Sequence, residues 1–129
     1  MDNTVIVIDD EKDFLDSVKR VLITSGIKSV RTESNAGKAA SEFEKGEAFD
    51  IALIDINMPD MDGISASQEI SRVAPMCPVI MMSVQSEADY LRRSMLAGAM
   101  DFLTKPFSGE ELSSSIHRVY DMGASRRTA

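Results

Sequence analysis

Short runs of apolar residues alternate along this chain with longer segments in which apolar residues recur every three or four positions. The runs Val5–Ile8, Ile51–Ile54 and Val79–Met82 contain apolar residues only and are too short for helices. Uninterrupted runs of this kind are typical of strands that are buried on both faces of a parallel sheet. Two weaker runs, Ser29–Thr32 and Asp101–Thr104, predict further strands.

The segments between these runs have the periodicity of amphipathic helices. Five helices are predicted from their apolar residues. The first has Phe14, Leu15, Val18, Val21 and Leu22, the second has Ala36, Ala39, Ala40 and Phe43, and the third has Ile64, Ile70 and Val73. The fourth has Tyr90, Leu91, Met95 and Leu96, and the fifth has Leu112, Ile116, Val119 and Tyr120. The first four are predicted to end at a glycine or a proline, namely Gly26, Gly46, Pro75 and Gly98. Asp62 is a candidate cap for the third helix, and Ser108 with Glu111 has the spacing of a capping box for the fifth.

The repeated order of strand and helix predicts an α/β fold, a doubly wound (βα)5 arrangement around a five-stranded parallel sheet. A length of 129 residues is typical of one domain. We expect that domain to occupy residues 1–122. Residues 123–129 are small and polar, and we expect a C-terminal tail or the start of a linker there.

Charge and composition narrow the class of protein. The net charge of −7 disfavours binding of nucleic acid or an anionic membrane by this domain, and it favours cations or basic proteins as partners. No apolar run approaches the roughly 20 residues of a membrane span, and the N-terminus lacks the pattern of a signal peptide. The single cysteine, Cys77, cannot form an internal disulfide, which is typical of a reducing cytoplasm, so we expect a cytoplasmic protein.

Polar residues stand at the carboxyl ends of four predicted strands, the edge of an open α/β sheet where ligands bind. They are Asp9 and Asp10, Asp55, Ser83, and Lys105. Three carboxylates in one place require a cation or bound protons, and oxygen ligands without nearby His or Cys favour Mg²⁺ over zinc. Asp55 ends the central strand and is the best candidate for a nucleophile that forms an acyl phosphate. Lys105 and Ser83 would then contact phosphoryl oxygens.

These residues belong to a longer pattern that resembles the receiver domain of two-component response regulators. Its parts are Ile8-Asp9-Asp10-Glu11, the segment Asp55-Ile56-Asn57-Met58-Pro59-Asp60-Met61-Asp62-Gly63, Ser83, and the segment Ala97-Gly98-Ala99-Met100-Asp101-Phe102-Leu103-Thr104-Lys105-Pro106-Phe107. The similarity runs from about residue 3 to residue 122 in order and spacing, and the combined motif is highly specific.

The resemblance implies a flavodoxin-like sheet with strand order 2-1-3-4-5. It implies that Asp55 accepts a phosphoryl group from a sensor histidine kinase or a histidine phosphotransfer protein. It also implies that Asp10, Asp55 and the main-chain carbonyl of Asn57 bind Mg²⁺ directly and that Asp9 binds it through water, with Mn²⁺ as an alternative ion. Such a domain is a phosphoacceptor in signalling, and the only reactions expected of it are its own phosphorylation and dephosphorylation.

The resemblance further implies a switch. Ser83 and Lys105 would contact the phosphoryl group, Phe102 would turn inward when Ser83 moves, and the Lys105-Pro106 bond would be cis. The face formed by the fourth helix, fifth strand and fifth helix would engage a downstream target protein or a covalently linked output domain, or form a phosphorylation-dependent dimer. The chain would then be a stand-alone receiver or a fragment of a longer regulator.

Two positions depart from the family pattern. Val84 stands where the residue is usually small, and we expect its bulk to narrow access to the acyl phosphate. Met100 stands where the residue is often polar, and an exposed methionine there would add an apolar contact beside the switch face.

Other functions fit the same residues less well. A phosphatase of the haloacid dehalogenase type needs Asp-x-Asp after the first strand, whereas Asp9 and Asp10 are adjacent. Two aspartates at that place would also repel the phosphate of a flavin. The chain contains neither the phosphate-binding loop of nucleotide hydrolases nor the glycine pattern of dinucleotide sites.

Overall fold

A computed structural model of the chain describes residues 4–58, 62–84 and 88–128, without the side chains of Ala88, Tyr90 and residues 123–128. The motif residues 59–61 lie outside this description. Within it, the five strands are β1 (Thr4–Ile8), β2 (Ser29–Glu33), β3 (Ile51–Asp55), β4 (Val79–Ser83) and β5 (Asp101–Thr104). The five helices are α1 (Lys12–Thr24), α2 (Ala36–Glu44), α3 (Gly63–Val73), α4 (Ala88–Leu96) and α5 (Gly109–Thr128).

The strands form one parallel sheet in the order β2-β1-β3-β4-β5, which confirms the predicted fold class and strand order. Each observed strand matches its predicted run to within one residue at either end. The agreement is close because β3 and β4 are buried along their whole length, so their sequences contain no polar interruption except at the carboxyl end.

Helices cover both faces of the sheet. On one face α2 and α3 pack against alternate strand residues such as Ile6 and Ile54. On the other face α1 and α5 pack against the intervening residues such as Val7 and Leu53. For the inner strands β1, β3 and β4, this two-sided burial leaves the two ends of the sheet as the places where polar groups can reach the surface.

Two helix starts are capped as predicted. A carboxylate oxygen of Asp62 accepts a hydrogen bond from the main-chain N–H of Ser65 at 2.8 Å. Ser108 and Glu111 exchange hydrogen bonds, since the Glu111 N–H donates to the Ser108 hydroxyl at 3.0 Å and the Ser108 N–H donates to the Glu111 carboxylate. Both caps satisfy main-chain donors that the first helical turn leaves unpaired.

The fourth helix is present, but three of the apolar residues that indicated it are exposed. Leu91, Met95 and Leu96 are 44%, 47% and 80% exposed. Ser94, within α4, is fully buried, and Ala97, directly after the helix, is nearly so. Small side chains therefore contribute to the contact with the rest of the fold, whereas Leu91, Met95 and Leu96 are exposed to solvent.

The fifth helix extends into the segment that was expected to be a tail or the start of a linker. Its main chain remains helical to Thr128. Gly123 has a low helix propensity, whereas Ala124, Arg126 and Arg127 favour a helix. That this segment begins a linker stays a prediction. No helix in the described part of the chain combines the length and the apolar character needed to cross a membrane.

Candidate functional site

The carboxyl ends of four strands bring the predicted polar residues to one edge of the sheet. Asp55 is the last residue of β3 and Ser83 is the last residue of β4. Asp9 follows β1, and Lys105 follows β5. A main-chain hydrogen bond of 2.7 Å from the Lys105 N–H to the Ser83 carbonyl joins the ends of β4 and β5.

Three carboxylates meet at this edge. One oxygen from each of Asp9, Asp10 and Asp55 lies within 4.8 Å of the other two. Asp9 is fully buried and Asp55 is 6% exposed, while Asp10 is open to solvent. The site therefore has a buried inner part and an open side from which a ligand can enter.

Asp9 is held in place by both of its carboxylate oxygens. Oδ1 accepts a hydrogen bond of 2.9 Å from the main-chain N–H of Glu11. Oδ2 accepts a hydrogen bond of 2.5 Å from the Lys105 ammonium. These two contacts compensate the burial of a charged group, which would otherwise be costly.

The Lys105 ammonium lies between two acids and an aromatic ring. It is 3.9 Å from Oδ1 of Asp55, so this ion pair is longer than a hydrogen bond. It also lies 4.0 Å from the centre of the Phe14 ring. The Lys105 side chain is only 12% exposed, so its charge is largely removed from water.

Burial raises the pKa of Asp55 to about 6. This value is a balance, because the neighbouring Asp9 and Asp10 carboxylates also raise the pKa, whereas the Lys105 charge and the main-chain N–H of Asn57 lower it. Without a further cation, the ionised form of Asp55 is therefore disfavoured at this site.

The donor set fits a hard divalent cation. Carboxylate oxygens from three residues lie close enough to share one ion, and oxygen is the ligand atom that Mg²⁺ prefers. A cation at this place would also favour the ionised form of Asp55, whose pKa is raised first by burial and then by repulsion from Asp9 and Asp10. Asn57 lies two residues beyond Asp55 in the same loop, and its side chain is exposed.

The predicted switch residues lie on the two neighbouring strands. Ser83 is fully buried and pairs with Thr104 of β5 in the sheet register. Phe102 is partly buried and packs against the core on the α2 and α3 side. The Lys105-Pro106 bond is cis, as the resemblance implied.

The two departures from the family pattern differ in exposure. Val84 is 66% exposed directly beside Ser83. Met100 is partly buried against the core on the α1 and α5 side, and the apolar contact that it would add beside the switch face stays a prediction. The main-chain N–H of Met100 donates to the Val79 carbonyl at 2.8 Å, and this anchor explains why the residue stays close to the sheet.

Three residues at the site were not singled out from the sequence for a role there. Phe14 was assigned only to the apolar face of the first helix, and Phe107 only to the family motif. Gly63 was likewise named only as part of the family motif, although it packs against the main chain of Asp55. The spacing of Phe107, two residues after Lys105, is a signal that could have placed it at this end of the sheet.

The fold, the acidic group and the cis bond are those of a receiver domain, and the comparison with known families agrees. The family model described as the response regulator receiver domain matches residues 5–117. The chain therefore belongs to the response regulator receiver family of two-component systems, a family of signalling domains rather than of enzymes in the ordinary sense.

Known relatives include both short and long proteins. The chain is 29% identical to the chemotaxis protein CheY of Bacillus subtilis (strain 168), over 92% of this chain and 98% of that protein. It is 31% identical to the regulatory protein AtoC of Escherichia coli (strain K12), over 97% of this chain but only 27% of AtoC. A CheY-like receiver domain from Methanospirillum hungatei JF-1 has a TM-score of 0.90 at 27% identity, over 98% of this chain and 99% of that one.

Proposed function

We propose that this receiver domain is a phosphorylation-dependent switch, in which Asp55 accepts a phosphoryl group from a histidine kinase or a histidine phosphotransfer protein. The observation that carries this proposal is the group of Asp9, Asp10 and Asp55 carboxylates within 4.8 Å of one another, beside the Lys105 ammonium. The Asp55 side chain is 8% exposed, which leaves it an opening toward the edge of the sheet.

The proposed reaction is a transfer between two nucleophiles. A carboxylate oxygen of Asp55 attacks the phosphorus of a phosphohistidine, an O–P bond forms and the P–N bond breaks. The imidazole nitrogen leaves with the electron pair of that bond and takes up a proton. Lys105 neutralises charge on one phosphoryl oxygen and the Ser83 hydroxyl donates a hydrogen bond to another, so catalysis rests on positioning and electrostatics.

The acidic group supports Mg²⁺ as the cofactor, with Mn²⁺ as an alternative. Asp10, Asp55 and the main-chain carbonyl of Asn57 would hold the ion directly, and Asp9 would contact it through water. The bound cation supplies positive charge that offsets the charge of the phosphoryl oxygens. A bound cation would favour the ionised carboxylate of Asp55, whose pKa is about 6 without it, so Asp55 would stay ionised below pH 6 as well.

We propose that the face formed by α4, β5 and α5 changes shape on phosphorylation and binds the downstream partner. Ser83 and Phe102 lie on the adjacent strands β4 and β5, so a movement of one can be passed to the other. Leu91, Met95 and Leu96 of α4 expose an apolar surface of the kind that binds a protein. The partner is a target protein, an output domain linked as in longer relatives, or a second phosphorylated copy.

Acetyl phosphate with Mg²⁺ tests the proposal directly. We expect the mass of the protein to rise by one phosphoryl group, and the modification to be labile to base. Asp55→Asn is expected to abolish this gain, while the control Asp16→Asn, which changes an exposed aspartate of α1, is expected to leave it intact. A base-labile phosphoryl group that persists in Asp55→Asn would overturn the assignment of Asp55.

A further inference from the structure

The Lys105 side chain has one neighbour whose role the proposed reaction does not explain. The Phe14 ring lies with its centre 4.0 Å from the Lys105 ammonium, on a side chain that is only 12% exposed. An aromatic face carries negative charge density and attracts a cation, and the attraction strengthens when the cation is removed from water. We therefore expect the interaction energy of this cation–ring contact to lie in the upper part of the range for such contacts.

The position of the ring is itself fixed. Phe14 lies in the first turn of α1, beside the buried Leu15, and it packs against the core on the α1 and α5 side. The Phe107 ring meets it nearly at right angles, at 88°, with the two ring centres 5.8 Å apart. Perpendicular contact is a favoured arrangement of two aromatic rings, so Phe107 limits the orientation of the ring that faces Lys105.

The two other neighbours of the Lys105 ammonium, Asp9 and Asp55, lie at unequal distances from it. Asp9 binds it at 2.5 Å, whereas Asp55 is 3.9 Å away. A lysine side chain has a flexible stem, and a contact that is shorter to Asp9 than to Asp55 does not by itself limit motion of the ammonium away from Asp55. A third attractive surface restricts that motion without competing for the protons of the ammonium.

We propose that Phe14 is a positioning residue for phosphoryl transfer to Asp55, because its ring face holds the Lys105 ammonium where it can contact a phosphoryl oxygen. This inference rests on the proposed function of Asp55. An aliphatic residue at position 14 would fill similar space, but it would offer the buried ammonium no attractive face.

The test compares two substitutions at position 14. Phe14→Leu is expected to slow phosphorylation of Asp55 by acetyl phosphate about 2- to 30-fold, the range that follows from exposed and desolvated contacts of this type. Phe14→Tyr keeps the ring face, and its rate is expected to stay close to that of the natural chain. Phe49→Leu is the matched control. Phe49 is also a partly buried phenylalanine in a ring pair, with its ring centre 5.2 Å from that of Phe43. It precedes β3, at the end of the sheet opposite to the site.

Two further measurements separate positioning from a general structural effect. The ε-methylene proton resonances of Lys105 are expected to be shifted by the ring in the natural chain and in Phe14→Tyr, and to lose that shift in Phe14→Leu. In a Lys105→Met background, Phe14→Leu is expected to cause no further loss of rate, because the two residues act through one contact.

The proposal is overturned if Phe14→Leu is phosphorylated as fast as Phe49→Leu, if Phe14→Tyr is as slow as Phe14→Leu, or if the Lys105 resonances do not move. Failure of the proposed function gives a different result, because the natural chain itself would then gain no phosphoryl group on Asp55. Normal phosphorylation of both the natural chain and Phe14→Leu removes only the role of Phe14.

Discussion

Gly63 lies so close to the main chain of Asp55 that no β-carbon fits between them. A β-carbon on Gly63 would be 2.7 Å from the carbonyl carbon of Asp55 and 2.7 Å from the α-carbon of Ile56, and closer still to the Asp55 carbonyl oxygen. The Gly63 N–H also donates to the Ile56 carbonyl at 2.7 Å. The loop after β3 thus returns to its own starting point, and glycine at the start of α3 allows that close return.

Gly63→Ala is therefore expected to displace the main chain that carries Asp55, since main-chain atoms cannot move aside as a side chain can. We expect the free energy of unfolding to fall by about 1–3 kcal/mol, as for overpacked sites. Phosphorylation by acetyl phosphate should fall as well. Gly109→Ala is the control, because a β-carbon there would lie at an ordinary 3.4 Å from Val21. Equal unfolding midpoints in urea for the two variants would contradict this prediction.

The raised pKa of Asp55 predicts how the stability of the metal-free protein depends on pH. With a pKa of about 6, the folded protein retains a proton that the unfolded chain, with an ordinary aspartate pKa, has released. Between about pH 4 and pH 6 the folded state therefore binds more protons, so the Asp55 contribution to the free energy of unfolding falls as the pH rises. Above that window the ionised carboxylate destabilises the fold by at most about 3 kcal/mol.

Asp55→Asn removes this ionisation, so we expect the variant to be more stable than the natural chain at pH 7 without divalent ions. The difference should shrink as the pH falls through the window and nearly vanish below about pH 4. Urea unfolding at several pH values measures it. Added Mg²⁺ is expected to stabilise the natural chain more than the variant, because the variant lacks one of the carboxylates. A constant difference at every pH would assign the effect to packing instead.

The strands, their order and the meeting of the three carboxylates were predictable because each depends on a local rule. Apolar runs mark buried strands, and polar residues at the carboxyl ends of parallel strands converge on one edge. The apolar face of α4 was not predictable, because periodicity identifies a stripe without saying which side faces the sheet. There the small Ser94 and the adjacent Ala97 make the buried contacts.

The contact of Phe14 with Lys105 and that of Gly63 with Asp55 could not be predicted from the sequence either, for two different reasons. Phe14 fits the apolar stripe of α1, and only the three-dimensional arrangement brings its ring to the ammonium of a residue far along the chain. The role of Gly63 depends on how closely its main chain approaches that of Asp55, and no pattern of residue types gives such a distance.

A second network ties β5 to α5 through Asp101. Its carboxylate accepts hydrogen bonds from the Ser115 hydroxyl at 2.6 Å, from the Phe102 N–H at 2.8 Å and from Arg118. Burial favours a higher pKa for Asp101, but these hydrogen bonds outweigh it and hold the pKa below its usual value. A lowered carboxyl pKa stabilises the fold above the pKa of the unfolded chain, and this stabilisation is lost as the pH falls.

Ser115→Ala is expected to lower the free energy of unfolding by about 1–3 kcal/mol at pH 7, the usual range for a hydrogen bond to a charged group. The loss should become smaller as the pH falls below the ordinary aspartate pKa of about 4 and then through the lowered pKa of Asp101 in the fold. Ser67→Ala is the matched control, since Ser67 is a fully buried serine of α3 whose hydroxyl has no hydrogen-bond partner within the described structure. The free energy of unfolding of Ser67→Ala should be unchanged or higher than that of the natural chain. If it falls as much as that of Ser115→Ala, the Ser115 result cannot be assigned to the hydrogen bond with Asp101.

Val84 provides a test of how the site is reached. Its side chain is 66% exposed and directly follows the buried Ser83, whose hydroxyl is proposed to contact the phosphoryl group on Asp55. Val84→Ala is expected to raise several-fold both the rate of phosphorylation by acetyl phosphate and the rate at which the acyl phosphate is hydrolysed, because a small donor and water would use the same opening. Mass spectrometry over time follows both steps. Ile23→Ala, which shortens another exposed apolar side chain on α1, should change neither rate. A rise in one rate alone would show that Val84 acts on the chemistry of that step rather than on access.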